Sequence, residues 1–577
     1  MFQRLAVALL ALTGAGLIAT GGYLLATGSG GPSDTTAGGD TPLLGHVPAD
    51  TVFFSGYTAA SLPITDVATA WGELRSDKAA NELPSASAAA EDNGPGAGLL
   101  VGMYRAYLDD FNAGETLLTS FGRASGGDWG FYTVGSLPVM RLDLANEQQF
   151  WELIDRIEAD AEVSATGRND SAARSRRYAF DTDAQNREIA LLVATHNGDA
   201  VVTLTGDGLA ADAVSLALGE TTPKRSLADS GKLDRLAKQY GTHAGATGFV
   251  DHEVLIRGLT GDGESRLGRM LSHVERQWGD DTSELFGSQA CRDDARAIAA
   301  MWPHTVFGIT EVDANAQRVG ARIALGLNDD DVLKALRQLR GRMPQPIAED
   351  ALLELALGLR VQKAATSIQN LSNRFTGADF DCPQLKQSQK QLAKQGLGRL
   401  NMVTRMVGDV RGIGLAVMAL RSGSGMSPVT GDAMVEIATP DPQSLWQAAN
   451  SLVGLDTDNQ PEPGGNPVAV SGIGAPGVPT LRVALRQNAV MVLLGDAELD
   501  GAAGESELTA NGIMRLRYDG AALGKAIQAT GVTHKAGSQA QQALKSVRRT
   551  PLRYDLSLDI APSAIRFDSV INVTSPQ

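Results

Sequence analysis

Cysteine occurs only twice in 577 residues, as Cys291 and Cys382. So few thiols exclude a disulfide-dense scaffold, and two sulfurs without nearby histidines make a poor zinc site. Aromatic residues make up only 5% of the chain, and its seven histidines are scattered, none at ligand spacing from another. No H-E-x-x-H helix and no G-x-S-x-G elbow is present. Basic residues are in deficit: 50 Lys and Arg stand against 66 Asp and Glu, for a net charge of −16. The acids are dispersed rather than gathered in a tail. Nucleic acid is therefore disfavoured as a partner, because binding it needs a basic face. Two short basic clusters, Arg174, Arg176 and Arg177, and Lys545, Arg548 and Arg549, read as solvated turns. An anionic headgroup contact is the alternative for each.

The remaining candidate motifs are incomplete. Gly472, Gly474 and Gly477 match G-x-G-x-x-G, but Pro476 and Pro479 follow and the next element is a strand, so a loop is expected. Gly520 to Lys525 resembles part of a P-loop with Ala526 in place of the hydroxyl residue. Asp251-His252-Glu253 reads as an acidic helix N-terminus favoured by the dipole. Asp329 to Asp331, and Asp456 with Asp458, lack the glycine and distal glutamate of a calcium loop. The expectation is a non-enzyme with no cofactor and no metal, and a hydrolase assembled from distant residues is the alternative.

What is present begins with a long uncharged run. Between Arg4 and Asp34 there is no charged side chain, and Leu5 to Gly28 is apolar or small throughout. As a helix this run spans roughly 36 Å, enough for a hydrocarbon core of about 30 Å. An uncleaved anchor over residues 1–28 is expected, with Arg4 on the cytoplasmic side. A cleaved signal ending near Ala26 and Gly28 is the alternative. Either places the bulk of the chain in the periplasm, with the inner membrane as its first partner. Residues 29–45, rich in Gly, Ser and Thr at their start, read as a flexible tether. In an exported chain an even cysteine count usually pairs. A Cys291–Cys382 bond closes about 90 residues and restrains the unfolded chain by about 4 kcal/mol in the chain-entropy model.

Beyond the tether, the order of elements repeats. Val139 to Leu144 reads as a strand, then Asn146 as a helix cap, then Phe150, Trp151, Ile154 and Ile157 at helical spacing. Met434 to Ala438 is followed by Asp441 and by Leu445, Trp446, Ala449 and Leu452. Trp151 and Trp446 are thus matched, as core anchors or as ligand platforms. Glu188–Thr195 and Asp199–Thr205 flank Asn197-Gly198, a strong hairpin signal. Leu481–Arg486 and Ala489–Leu494 flank Gln487-Asn488 in the same way. Gly248–Asp251 and Met514–Asp519 are short strands ending in Asp. Each half closes on a long hairpin, Val306–Asp313 with Arg318–Leu327, and Leu552–Ile560 with Ile565–Val573. In the first half Leu267, Met270, Leu271, Val274 and Trp278 form an added amphipathic stripe. A helix capped by Asn328 and ended by Pro344 and Pro346 separates the halves. The expected fold is α+β: two tandem duplicated units, 46–345 and 346–577, of mainly antiparallel sheet with helices on one face.

Val47-Pro48-Ala49-Asp50-Thr51-Val52, followed by Phe53 and Phe54, resembles the opening of a family of uncharacterised bacterial envelope proteins. Ser226-Leu227-Ala228-Asp229 and Gly248-Phe249-Val250-Asp251 are similar to that family's helix-then-strand pattern. The resemblance implies an envelope location and a duplicated α+β architecture, and it carries no catalytic residue. The expected role is a non-catalytic binding or scaffold module with an envelope protein or lipid as partner. A carrier of lipid or another apolar ligand is the alternative, since a long hairpin with one apolar face can leave a concave sheet incompletely covered.

Overall fold

A computed structural model describes residues 42–58, 83–112, 118, 120–124, 127–169, 174–181, 188–207, 209–278, 287–313, 318–344, 351–395, 408–422, 429–453, 460–470, 481–499, 507–530 and 552–573. The expected anchor, most of the tether, the Gly472–Gly477 loop, Asp456, Asp458 and the Lys545–Arg549 cluster lie outside these residues. Among the described residues no helix is long and apolar enough to cross a membrane. The fold is α+β with antiparallel sheet throughout its strand ladders, in two compact units that meet in sequence at Gly326 and Leu327. The expected boundary at 345 and 346 is therefore moved. The separating helix, Asp330–Leu339, is capped by Asp329, whose carboxylate accepts from the Asp331 and Val332 amides, rather than by Asn328. Its Leu333 packs with Leu327 and Ile560, which places the helix in the second unit.

The first unit contains β1 (Phe53–Tyr57), β2 (Trp129–Val134), β3 (Leu137–Asp143), β4 (Gly167–Asn169), β5 (Arg174–Ala179), β6 (Ile189–His196), β7 (Asp199–Gly206), β8 (Thr247–Asp251), β9 (His304–Asp313) and β10 (Arg318–Gly326). Hydrogen bonding orders them β10-β9-β8-β1-β2-β3-β7-β6-β5-β4. The β6–β7 turn uses Asn197 and Gly198 with φ of 53° and 89°, the left-handed pair that matches strand twist in a two-residue hairpin. The envelope-like opening works as a clasp. Thr51 is fully buried and its hydroxyl lies 2.8 Å from the Thr133 carbonyl, tying the entry of β1 to β2. Pro48 bridges Ser226, where Ser226 and Asp229 form a capping box.

Helices cover both faces of this sheet, not one as expected. Successive strand residues point to opposite sides. Met140 faces the Pro95–Asn112 helix across a cavity, while Arg141 donates to the Ala217 carbonyl of the Ala211–Leu218 helix at 2.9 Å. Phe150, Trp151 and Ile154 of the Glu147–Asp160 helix are buried, each worth about 1.5–3 kcal/mol. Leu267 and Leu271 of the expected extra stripe pack with Val52.

The second unit contains β11 (Leu353–Leu357), β12 (Gly412–Ser422), β13 (Val429–Ala438), β14 (Val468–Val470), β15 (Leu481–Arg486), β16 (Ala489–Leu494), β17 (Met514–Asp519), β18 (Leu552–Ile560) and β19 (Ala564–Val573). Their order is β19-β18-β17-β11-β12-β13-β16-β15-β14. This matches the first order element for element, with β4 as an extra strand there. Phe567, Leu558, Met514, Leu357, Ile413, Ile437, Val490 and Leu485 stand in one cross-strand row over eight strands. The Pro442–Val453 helix covers one end of this apolar face through Trp446. Toward the other end Phe567, Leu357 and Ile413 remain 41–45% exposed.

Candidate functional site

The Pro95–Asn112 helix lies over the first sheet and presents Leu100, Met103, Tyr104 and Tyr107, at i, i+3, i+4 and i+7. Beneath that stripe is a cavity of about 100 Å³. The sheet supplies its floor and far wall with Phe53, Trp129, Phe131, Tyr132, Met140, Leu191, Val202 and Leu204, and Leu118 and Phe121 close one side. Seven of the lining residues are aromatic, out of 29 in the whole chain, so a scarce residue type is concentrated here. Leu100, Tyr104, Tyr107, Phe131, Pro138 and Met140 are half-buried and form the mouth, while Met103, Phe121, Trp129 and Leu191 are buried behind them.

Among the described residues no charged side chain lines this space. Of the hydroxyl residues in the sheet, Thr133 shares the cavity face with Phe131 and Met140, whereas Tyr132 and Thr203 stand on the face of Val139 and Arg141. Thr133 Oγ1 accepts from the Val52 amide at 3.0 Å and lies 3.2 Å from Thr51 Oγ1. The Thr203 hydroxyl donates to the Pro138 carbonyl at 2.8 Å. The Tyr132 hydroxyl accepts from Arg141 Nε at 3.3 Å, and burial holds this phenol above its ordinary pKa, so it stays neutral. An apolar space recognises hydrocarbon and disfavours charged groups that would lose their hydration.

Behind the Tyr132 wall is a buried polar network. Arg141 is 2% exposed and pairs with Asp199 at 2.6 Å. Asp128, beside Asp143 and Asp199, is pushed up to about 6, first by burial and then by those two carboxylates. His46 is held below its usual value by burial and by the Arg141 charge. Among the described residues no group of three or more His, Cys, Asp or Glu is placed to hold a metal ion. In the second unit Glu354, 2% exposed, accepts from Arg515 at 3.0 Å and Arg517 at 3.2 Å, as a counter-ion between neighbouring strands.

Comparison with protein-family models, with curated proteins and with solved structures found no match for this chain.

The residues singled out from sequence lie away from the cavity lining. Trp151 is 2% exposed, and its indole donates to Thr195 Oγ1 at 3.1 Å. Arg174 and Arg176 stack their guanidinium carbons 4.4 and 4.9 Å from the centre of its ring. This overturns the expected solvated turn at Arg174–Arg177. The segment is β5, and Arg176 is buried because Asp155 at 2.6 Å and Glu158 at 3.1 Å neutralise it. Trp446 packs on Val470, Val483, Leu485 and Val490 in the second unit. Asp251 caps its helix by accepting from the Val254 amide, as expected, and Asp519 does the same for Ala522. Cys291 and Cys382 are both buried and disulfide-bonded. The cavity residues were missed, although two signals mark them. One is the helical stripe Leu100, Met103, Tyr104 and Tyr107, and the other is the Trp129 and Phe131 pair on one strand face.

Proposed function

We propose that this protein is a non-catalytic binding protein of the bacterial envelope whose first unit holds an apolar ligand. The observation that carries the reading is the cavity under the Pro95–Asn112 helix, which among the described residues is lined by apolar and aromatic side chains without charge. Within the binding class it favours a carrier of lipid or another apolar ligand over a bare scaffold. The open end of the apolar row at Leu357, Ile413 and Phe567 supports the same preference in the second unit. The common strand order of the two sheets, with matched positions for Trp151 and Trp446, supports an origin by tandem duplication. The uncharged Leu5–Gly28 run supports an inner-membrane tether with the folded chain in the periplasm.

Two measurements test this reading. Protein purified from native membranes without detergent, and extracted with organic solvent, is expected to release an apolar molecule. Purified protein is expected to unfold at a higher temperature with benzene or with a single-chain lysolipid, because a ligand that binds only the folded state stabilises it. No released molecule and no shift with either compound would overturn the ligand reading. A C-terminal reporter that works only in the cytoplasm, and is active when fused to this chain, would overturn the location.

A further inference from the structure

We propose that the cavity of the first unit receives the end of one unbranched hydrocarbon chain, with the rest of the molecule outside the mouth. This rests on the reading of the cavity as an apolar-ligand site. Size comes first. An apolar cavity of about 150 Å³ takes a benzene ring, and this one offers about 100 Å³. The space is therefore smaller than one that holds a ring, and its volume suits the last few methylenes of a chain. The cavity is also not sealed. Its mouth is framed by Leu100, Tyr104, Tyr107, Phe131, Pro138 and Met140, all half-buried and none charged. A ligand that passes this frame is still hydrocarbon at the level of the rim, so its polar part sits farther out.

The wall of the interior is mostly hydrocarbon, and no charged side chain among the described residues lines it. The floor hydroxyl on the cavity face, Thr133, already accepts from the Val52 amide, and those of Thr203 and Tyr132 are turned to the other face of the sheet. A charged headgroup pushed to the floor would lose its hydration and meet no opposite charge among the described residues. The chain therefore enters methyl end first. A second chain has no room, which selects single-chain amphiphiles, or one chain of a larger lipid, over compact bicyclic molecules. Depth is set by Val202, a buried floor residue, and access by Met140 at the rim.

The test is equilibrium dialysis of the full chain against 1-myristoyl-lysophosphatidylcholine, below its micellar concentration, and against the same lysolipid carrying a cyclohexyl group at the chain end. The straight chain is expected to bind at least about tenfold more tightly, since misfit in a close-packed interior is costly. Val202→Phe, which fills the floor, and Met140→Trp, which narrows the mouth on a half-buried residue, are each expected to weaken it by about tenfold or more. Circular dichroism and melting temperature show whether each variant folds, and Met140→Trp serves if Val202→Phe does not. Equal affinity for both chain ends, or unchanged binding in a folded variant, overturns the proposal. Benzene binding without lysolipid binding also overturns it while leaving the apolar-ligand reading in place, and binding of neither removes both.

Discussion

Asp128 sits at the edge of the network that backs the cavity, and its environment makes a pH dependence calculable. Its carboxyl is raised from 3.8 to about 6 by burial and by Asp143 and Asp199. Between about pH 4 and pH 6 the folded protein keeps a proton that the unfolded chain has released. The contribution of this group therefore falls as pH rises through that window, and it is unfavourable above it. Asp128→Asn is expected to remove that slope. It should raise stability by about 1 kcal/mol at about pH 7.5, a figure discounted because the group is only half-buried, and leave it unchanged near pH 4. Denaturant midpoints at the two pH values check this, and a stability gain at both would refute the assignment. Nothing in the sequence marks Asp128 as perturbed. Its two acidic neighbours lie 15 and 71 positions along the chain and meet it only through the β2–β3–β7 pairing.

At the scale of elements, the cavity depends on how closely two helices approach. A Cβ on Gly102 of the Pro95–Asn112 helix would fall 2.2 Å from Ile157 Cγ2 on the Glu147–Asp160 helix. Gly102→Val is expected to push the helices apart and cost about 1–3 kcal/mol. It should also weaken lysolipid binding, because Met103 and Tyr104 move with their helix; full affinity in a destabilised variant would separate packing from the site. Much at this scale was legible. Asn146 accepts from the Gln149 amide and Asp441 from Ser444, as the cap positions predicted, and Asn197-Gly198 makes its hairpin. These features are short-range, so the residues that cause them are near in sequence. The misreading of Arg174–Arg177 has the opposite cause. Three arginines look solvated until Asp155, Glu158 and the Trp151 ring arrive from a helix elsewhere in the chain.

For the whole molecule, the disulfide is the testable constraint. Both cysteines are bonded, so a thiol titration of the unfolded, unreduced protein is expected to find no free thiol. A Cys291→Ser, Cys382→Ser double variant should lose about 4 kcal/mol, the loop-closure entropy of roughly 90 residues. A midpoint equal to that of the native protein would sink this estimate. The hairpins were readable along the chain from alternation and turn chemistry, but strands such as Trp129–Val134 and Gly412–Ser422, and the order of each sheet, were not. The helix layers were not either, since Met140 and Arg141 are adjacent in sequence and serve opposite faces.

Sequence alone determined the antiparallel α+β class, the repeated succession of strand, helix and hairpin, the helix caps and the pairing of the two cysteines. Each is set by local backbone preference, by periodicity or by residue count. Tertiary structure decided where the empty space lies, which arginines are buried and which carboxyl is perturbed. Those properties belong to surfaces brought together from Phe53 to Leu204, and a cavity exists only where side chains from distant strands fail to meet.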